Sequence, residues 1–336
     1  MNNIKLIAGT SHTELAKQIS EKLRIPLCKC TIEKFSNTEI KVEILESIRN
    51  KDIFIIQTGS YDTNTNNSIN DYLMETLITI DACKRSMAKT INLVMPCYPY
   101  ARQDKKGGPR EPITARLVAN ILENAGIDRI IVMDLHAPQI QGFFNIPVDN
   151  LYSMPLVIKY FKQNIFKDMP LTDIQHNYVL AAPDAGAIKR TLKFGTKMKL
   201  NTIFMHKERS YQIANTINTM IIVGDPKRIM GKTVIILDDI CDTGGTLSKC
   251  CSLLIESGAK EVICVVTHGI LSGPASKRIN SCQEMSRMIV SNTLSQKQNK
   301  IKIPKLSVFD ISDLLKEVIE RIITGESISA LFKPYN

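Results

Sequence analysis

At 336 residues the chain is long for one hydrophobic core and comfortable for two domains of about 150 residues each. A hydrophobic fraction of 44% with 23% charged residues excludes a disordered or fibrous protein, and no apolar run is long enough to span a bilayer. The formal charge of +10 suits polyanionic small molecules better than nucleic acid, because aromatics are only 6%, Trp is absent and the basic residues are scattered.

The amino terminus, "MNNIKLIAGTSHTELAKQ", shows no basic-then-apolar leader pattern, so a cytoplasmic location is expected. The nine cysteines contain no Cys-x-x-Cys pair and are expected as reduced thiols. Strands are predicted over 4–8, 52–57, 90–96, 129–134, 177–182, 233–239 and 261–268, with helices over 13–23, 69–86, 113–125, 154–164 and 245–257. Strand and helix alternating at this rhythm predict an α/β fold with a parallel sheet flanked by helices. "RIIVMDLHAPQIQGFF" and "TVIILDDICDTGGTLS" share one plan, a buried strand, an acidic residue at its end and a polar loop. That echo suggests two related domains joined near residue 150. Residues 292–305 read as an exposed basic loop, and a last helix over 311–325 stops at Gly325.

"VIILDDICDTGGT" (234–246) carries the sharpest signal. Its β-branched run predicts a strand buried on both faces, with Asp238 and Asp239 emerging where ligands bind in such sheets. Thr243, Gly244, Gly245 and Thr246 then open a helix whose unpaired amides attract a phosphate, and the glycines let its oxygens approach the backbone. A ligand with a phosphate at one end and vicinal hydroxyls at the other fits both halves, and ribose 5-phosphate has the right length. "GKT" (231–233) is no P-loop, since Pro226 stands where that motif needs glycine, and no G-x-G-x-x-G occurs. Cys241 lies near the helix start, where a thiol pKa can fall, and is a candidate reactive thiol.

The segment resembles the phosphoribosyl diphosphate motif of the type I phosphoribosyltransferase fold. Four further stretches extend the resemblance over essentially the whole chain, to ribose-phosphate diphosphokinase: "FSNTE" (35–39), "YPYARQDKK" (98–106), "MDLHAPQIQGFFNIPVDN" (133–150) and "HKERSYQIAN" (206–215). The fold so implied is two tandem domains, residues 1–150 with the ATP-side motifs and 151–310 with the ribose 5-phosphate and catalytic loops. Residues 311–336 would form a C-terminal helix and tail packed back on the first domain.

The resemblance implies transfer of the diphosphoryl group of ATP to O1 of ribose 5-phosphate. It assigns ATP to Phe35, Asn37, Glu39, Arg102, Gln103 and His136, and the sugar phosphate to Asp238, Asp239, Asp242 and residues 243–246. Mg²⁺ would be held by Asp134, His136, Asp149 and Asp184, and the transferring group clamped by Lys207 and Arg209. Asn145 stands where the family pattern commonly has Asp, and Ala187 where it has Gly. The resemblance also implies a homo-oligomer, often a hexamer, with ADP and inorganic phosphate as effectors and Arg49, Ser327 and Ser329 as candidates for their site. The alternatives are a nucleobase phosphoribosyltransferase and a non-catalytic regulatory homologue of the synthase.

Overall fold

The computed structural model describes residues 3–59, 61, 67–208, 219–223 and 225–335. In the N-terminal half, β1 (Ile4–Ala8), β4 (Asp52–Ile56), β5 (Thr90–Val94), β6 (Arg129–Met133) and β7 (Val148–Leu151) form one sheet in that order, every pair parallel. β2 (Cys30–Lys34) and β3 (Ile40–Ile44) stand apart as an antiparallel hairpin. Crossovers run through α1 (Thr13–Leu23), α2 (Ile69–Arg85) and α3 (Thr114–Ala125).

α4 (Met154–Asn164) and α5 (Leu171–Asn177) lead to the second sheet. It is built from β8 (Tyr178–Ala182), β9 (Thr202–Glu208), β10 (Thr219–Val223), β11 (Thr233–Cys241), β12 (Glu261–Gly269), β13 (Met285–Ser291) and β14 (Leu306–Phe309). Their order is β10-β9-β8-β11-β12-β13-β14, with only β10 antiparallel to its neighbour. The order reverses between β8 and β11, and a crevice opens beyond the strand ends at such a reversal. α6 (Ile188–Met198), α7 (Gly245–Glu256), α8 (Ala275–Ser281), α9 (Lys297–Lys302) and α10 (Ser312–Thr324) complete the chain.

Alternation along the strands divides the apolar residues among three cores, since successive side chains leave a strand on opposite faces. Ile53, Ile55, Ile91, Leu93, Ile130 and Val132 pack with α2 and α3 on the outer side of the first sheet. Val179, Ala181, Val234, Ile236, Val262 and Cys264 pack with α7 and α8 on the outer side of the second. The intervening residues, among them Leu6, Phe54, Ile131, Leu180, Ile235 and Val265, share one central core with α1, α4 and α10. The two sheets are therefore joined by apolar packing as well as by chain.

α10 ends on Gly325 at φ +74°, and its N-terminal end lies beside α1, where Lys22 donates to Asp310 and Ser312. The segment expected as an exposed basic loop over 292–305 is different: Thr293 and Ile303 are fully buried and residues 297–302 are helical. Thr293 and Gln296 supply the reason. The first meets His268 at 3.0 Å, and the second donates to the Gly269 carbonyl at 2.8 Å, which pins the segment to the end of β12. Among the described residues no helix is long and apolar enough to cross a membrane.

Candidate functional site

β11 emerges from the second sheet with Asp238 and Asp239 in its last turn of strand, and the chain then bends through Gly244 at φ +75° into α7. A side chain at Gly244 would be strained in that left-handed conformation. No side chain caps α7, so its first amides face the crevice without intrahelical partners. Arg278 of α8 leans over this turn, donating to the Thr243 carbonyl at 3.3 Å, and its Nη1 would stand 3.3 Å from a Cβ added at Gly245. The turn therefore presents both backbone amides and a guanidinium, the groups that suit anionic oxygens.

Asp239 is held from two directions. Its Oδ2 takes a hydrogen bond from His136 Nδ1 at 2.7 Å, and its Oδ1 faces Arg190 Nη1 at 3.5 Å. His136 belongs to the loop after β6, so the first contact crosses between the two sheets. Burial opposes ionisation of Asp239, but the His136 hydrogen bond and the Arg190 charge outweigh it and hold its carboxyl well below the usual range. Asp238 goes the other way. Burial and the adjacent Asp239 charge push it well above the ordinary value, with Arg190 as the opposing influence. The Asp239 hydrogen bond raises the pKa of His136.

A second bridge joins Arg102, beyond β5, to Asp242 at 2.7 Å, and Ser272 donates to the other oxygen of Asp242. The structure thus brings Arg102, His136, Asp238, Asp239, Asp242 and residues 243–246 into one crevice, although they come from two sheets. Asp184, after β8, is exposed, accepts from the Ala187 amide at 3.0 Å and lies near enough to influence Asp238. It belongs to the same crevice.

Other expected residues go elsewhere. Asp149 pairs with Arg129 at 2.6 Å, low on β7, so it is not brought to the crevice as a metal ligand. Asp134 ends β6 at φ +39° and is buried, where its Oδ2 accepts from the Ser153 amide, the Ser153 hydroxyl and Thr267 Oγ1. That carboxylate ties the two halves of the chain together through Oδ2, and its charge also acts on Arg190 beside the aspartates. Asn145 donates to Glu123 and also stands apart. Gln103 receives the Thr114 hydroxyl at 2.5 Å and caps the start of α3 through its own carbonyl.

Phe35, Asn37 and Glu39 form the turn of the β2–β3 hairpin. Thr38 donates to the Phe35 carbonyl and Glu39 to Asn37 Oδ1, while the Phe35 ring is 55% exposed. Their groove is shared with α2, at Ser68, Asp71 and Met74, and not with the aspartates. Lys207 stands in β9 opposite Met220, and Arg209 lies outside the described residues. Arg49 is exposed in a turn. Ser327 and Ser329 face each other at 2.9 Å after α10, and among the described residues no hydrogen bond or ion pair joins Arg49 to them.

The expectation that Cys241 is a reactive thiol is overturned. It is buried in the outer core of the second sheet, and burial pushes its pKa up to about 12. A hydrogen bond with the Gly244 backbone, at the helix start, works to lower it, but burial and the nearby Asp238 charge outweigh that influence. Among the described residues no group of three or more His, Cys, Asp or Glu side chains is arranged as a metal site. Arg190 and Arg278 were not foreseen. Arg190 lies within "APDAGAIKR" and could have been suspected there, whereas nothing local marks Arg278.

A family model described as the N-terminal domain of ribose phosphate pyrophosphokinase matches residues 4–126, and one for the phosphoribosyl synthetase-associated domain matches 209–333. The chain is 48% identical to ribose-phosphate pyrophosphokinase 4 of Saccharomyces cerevisiae, over 99% of this chain and 95% of that one. It is 46% identical to ribose-phosphate pyrophosphokinase 2 of Schizosaccharomyces pombe, over 98% of each. The crystal structure of phosphoribosylpyrophosphate synthetase from Mycobacterium smegmatis superposes with a TM-score of 0.85 at 40% identity, covering 96% of this chain and 99% of that one.

Proposed function

The chain belongs to the ribose-phosphate pyrophosphokinase family, and on that premise we propose how its crevice carries out the transfer. It is a diphosphotransferase that moves the diphosphoryl group of ATP to O1 of ribose 5-phosphate, giving 5-phosphoribosyl 1-diphosphate and AMP. One observation carries the site assignment: Arg102 and His136, from the half with the nucleotide motifs, reach Asp242 and Asp239, from the half with the sugar-phosphate turn, at 2.7 Å each.

In this reading residues 1–150 present the nucleotide and residues 151–310 the sugar. The 5-phosphate rests on the amides at the start of α7 with Arg278 above it, and Asp238 and Asp239 accept hydrogen bonds from the ring hydroxyls. O1 then faces the β-phosphorus of ATP. The O1–Pβ bond forms, the bond from Pβ to the bridging oxygen breaks, AMP leaves and the O1 proton passes to solvent. Positioning and charge neutralisation supply most of the acceleration in such transfers. Arg102 would neutralise nucleotide phosphate oxygens, and Lys207 with Arg209 would close on the transferring group.

Mg²⁺ keeps several waters and takes one or two carboxylates with substrate phosphates, which suits the exposed Asp184, with His136 in the same crevice, and makes a full protein cage unnecessary. When bound it would offset charge on the β- and γ-phosphate oxygens. We assign ADP and inorganic phosphate as effectors at a contact between subunits of a homo-oligomer, with Arg49, Ser327 and Ser329 on it. A cytoplasmic location agrees with nine free cysteines.

Incubation of the purified chain with ATP, Mg²⁺ and ribose 5-phosphate, followed by chromatography, tests the reading. AMP and the phosphoribosyl diphosphate should appear in equal amounts. A chain that released no AMP unless mixed with another subunit would act as a regulatory homologue.

A further inference from the structure

Adjacent residues on a strand send their side chains to opposite faces. Asp238 and Asp239 depart from this, because one guanidinium reaches both: Arg190 Nη1 lies 3.8 Å from Asp238 Oδ1 and 3.5 Å from Asp239 Oδ1. The same Asp238 oxygen accepts from the Asp239 amide at 2.9 Å, so its carboxylate is folded back toward its neighbour. Arg190 enters from the first turn of α6 with its side chain 25% exposed, and the charge of the buried Asp134 also acts on it. Two carboxylates thus flank one cation, with the charge of a third acting on it. Placing like charges side by side away from water is costly unless an opposite charge holds them.

We propose that Arg190 is a positioning residue for the sugar, holding the Asp238 and Asp239 carboxylates to one side of β11 at a spacing that receives two adjacent ring hydroxyls. The proposal rests on the reading above, in which that pair meets ribose. The guanidinium has no need to touch the sugar. Its planar fork can bridge two oxygens where a lysine ammonium offers a single point of charge. Asp239, held also by His136, is the fixed member of the pair, and Asp238 is the one that swings when Arg190 is removed.

The test compares wild type, Arg190→Lys and Arg190→Gln, each checked for native circular dichroism, using ribose 5-phosphate and its 2-deoxy analogue as acceptors. In Arg190→Gln, KM for ribose 5-phosphate should rise by about tenfold or more, the scale of losing one hydrogen bond to a charged group. KM for ATP should stay within about twofold of wild type. The preference for ribose over 2-deoxyribose should shrink toward none, because that preference depends on where the carboxylates stand. A merely structural arginine would lower activity on both acceptors alike. Arg190→Lys should keep the charge and recover part of the preference.

An unchanged preference in Arg190→Gln, or a loss falling on KM for ATP, overturns the proposal. Should Arg190→Gln fail to fold, calorimetric binding of the two sugar phosphates to Arg190→Lys decides the matter: a narrowed preference supports it, and a wild-type preference ends it. If the wild type itself released no AMP, or did not distinguish the two acceptors, the sugar reading would fall first and take the proposal with it.

Discussion

Lys207 occupies the penultimate position of β9, opposite Met220 of β10, at the base of the hairpin expected to close on the transferring group. Replacing it with alanine should lower kcat by about a hundredfold or more, the scale of losing one donor used in the transition state. Binding of ribose 5-phosphate, measured by calorimetry, should hardly change. Cysteine chemistry makes a second prediction at the same scale. Eight of the nine thiols are buried, and Cys30 is the exception at the start of the β2–β3 hairpin. Brief alkylation of the native protein followed by mass spectrometry should therefore label Cys30 first. Preferential labelling of Cys241 would contradict its place in the core.

Among the elements, the turn into α7 makes the firmest demand on sequence. Gly244 has room for a methyl group, since the nearest atom to an added Cβ is a side-chain carbon of Ile279 at 3.5 Å, yet its φ of +75° disfavours one. Gly244→Ala should cost about 1–2 kcal/mol in denaturant unfolding, the usual penalty for an L-residue in this conformation. It should also raise KM for ribose 5-phosphate more than KM for ATP. Inner strands such as 52–56 and 129–133 were legible in the sequence because residues buried on both faces form β-branched runs bounded by polar turns. The β2–β3 hairpin, half exposed, carries no such run and shows in the sequence only as the alternation of Cys28 and Cys30, and the six-residue α9 lies in a segment read as a loop. The glycine turn into α7 was readable locally, since its parts are contiguous. The contacts of Arg102 with Asp242 and of His136 with Asp239 were not. They join residues 140 and 103 positions apart, and only the stacking of two sheets on one core brings them together. Asp149 shows the converse: it shares a signature with His136, yet strand register carries it to Arg129.

At the scale of the whole molecule, polar contacts support the shared core. His268 Nε2 donates to the Met133 carbonyl at 2.9 Å, and His12 Nε2 to the Asn292 carbonyl at 3.0 Å, so each half lends a buried histidine to the other. Asp310 ties α1 to the last helix through Lys22, and it also accepts from Asn292 and Ser312. Burial disfavours its carboxylate, but Ser312, Asn292 and Lys22 outweigh that and hold its pKa below the ordinary value. A depressed carboxylate stabilises the fold above its unfolded pKa of about 4, and that stability fades as pH falls toward the folded value. Wild type should therefore melt above Asp310→Asn at neutral pH, with the gap closing below about pH 4. A gap independent of pH would show that the charge of Asp310 does not contribute.

The pairing of Arg102 with Asp242 also tempers the crevice toward stray anions. The carboxylate offsets part of the guanidinium charge, so a lone inorganic anion is drawn in less strongly than by an unaccompanied arginine. A substrate that reaches both halves of the molecule gains further contacts that such an anion lacks.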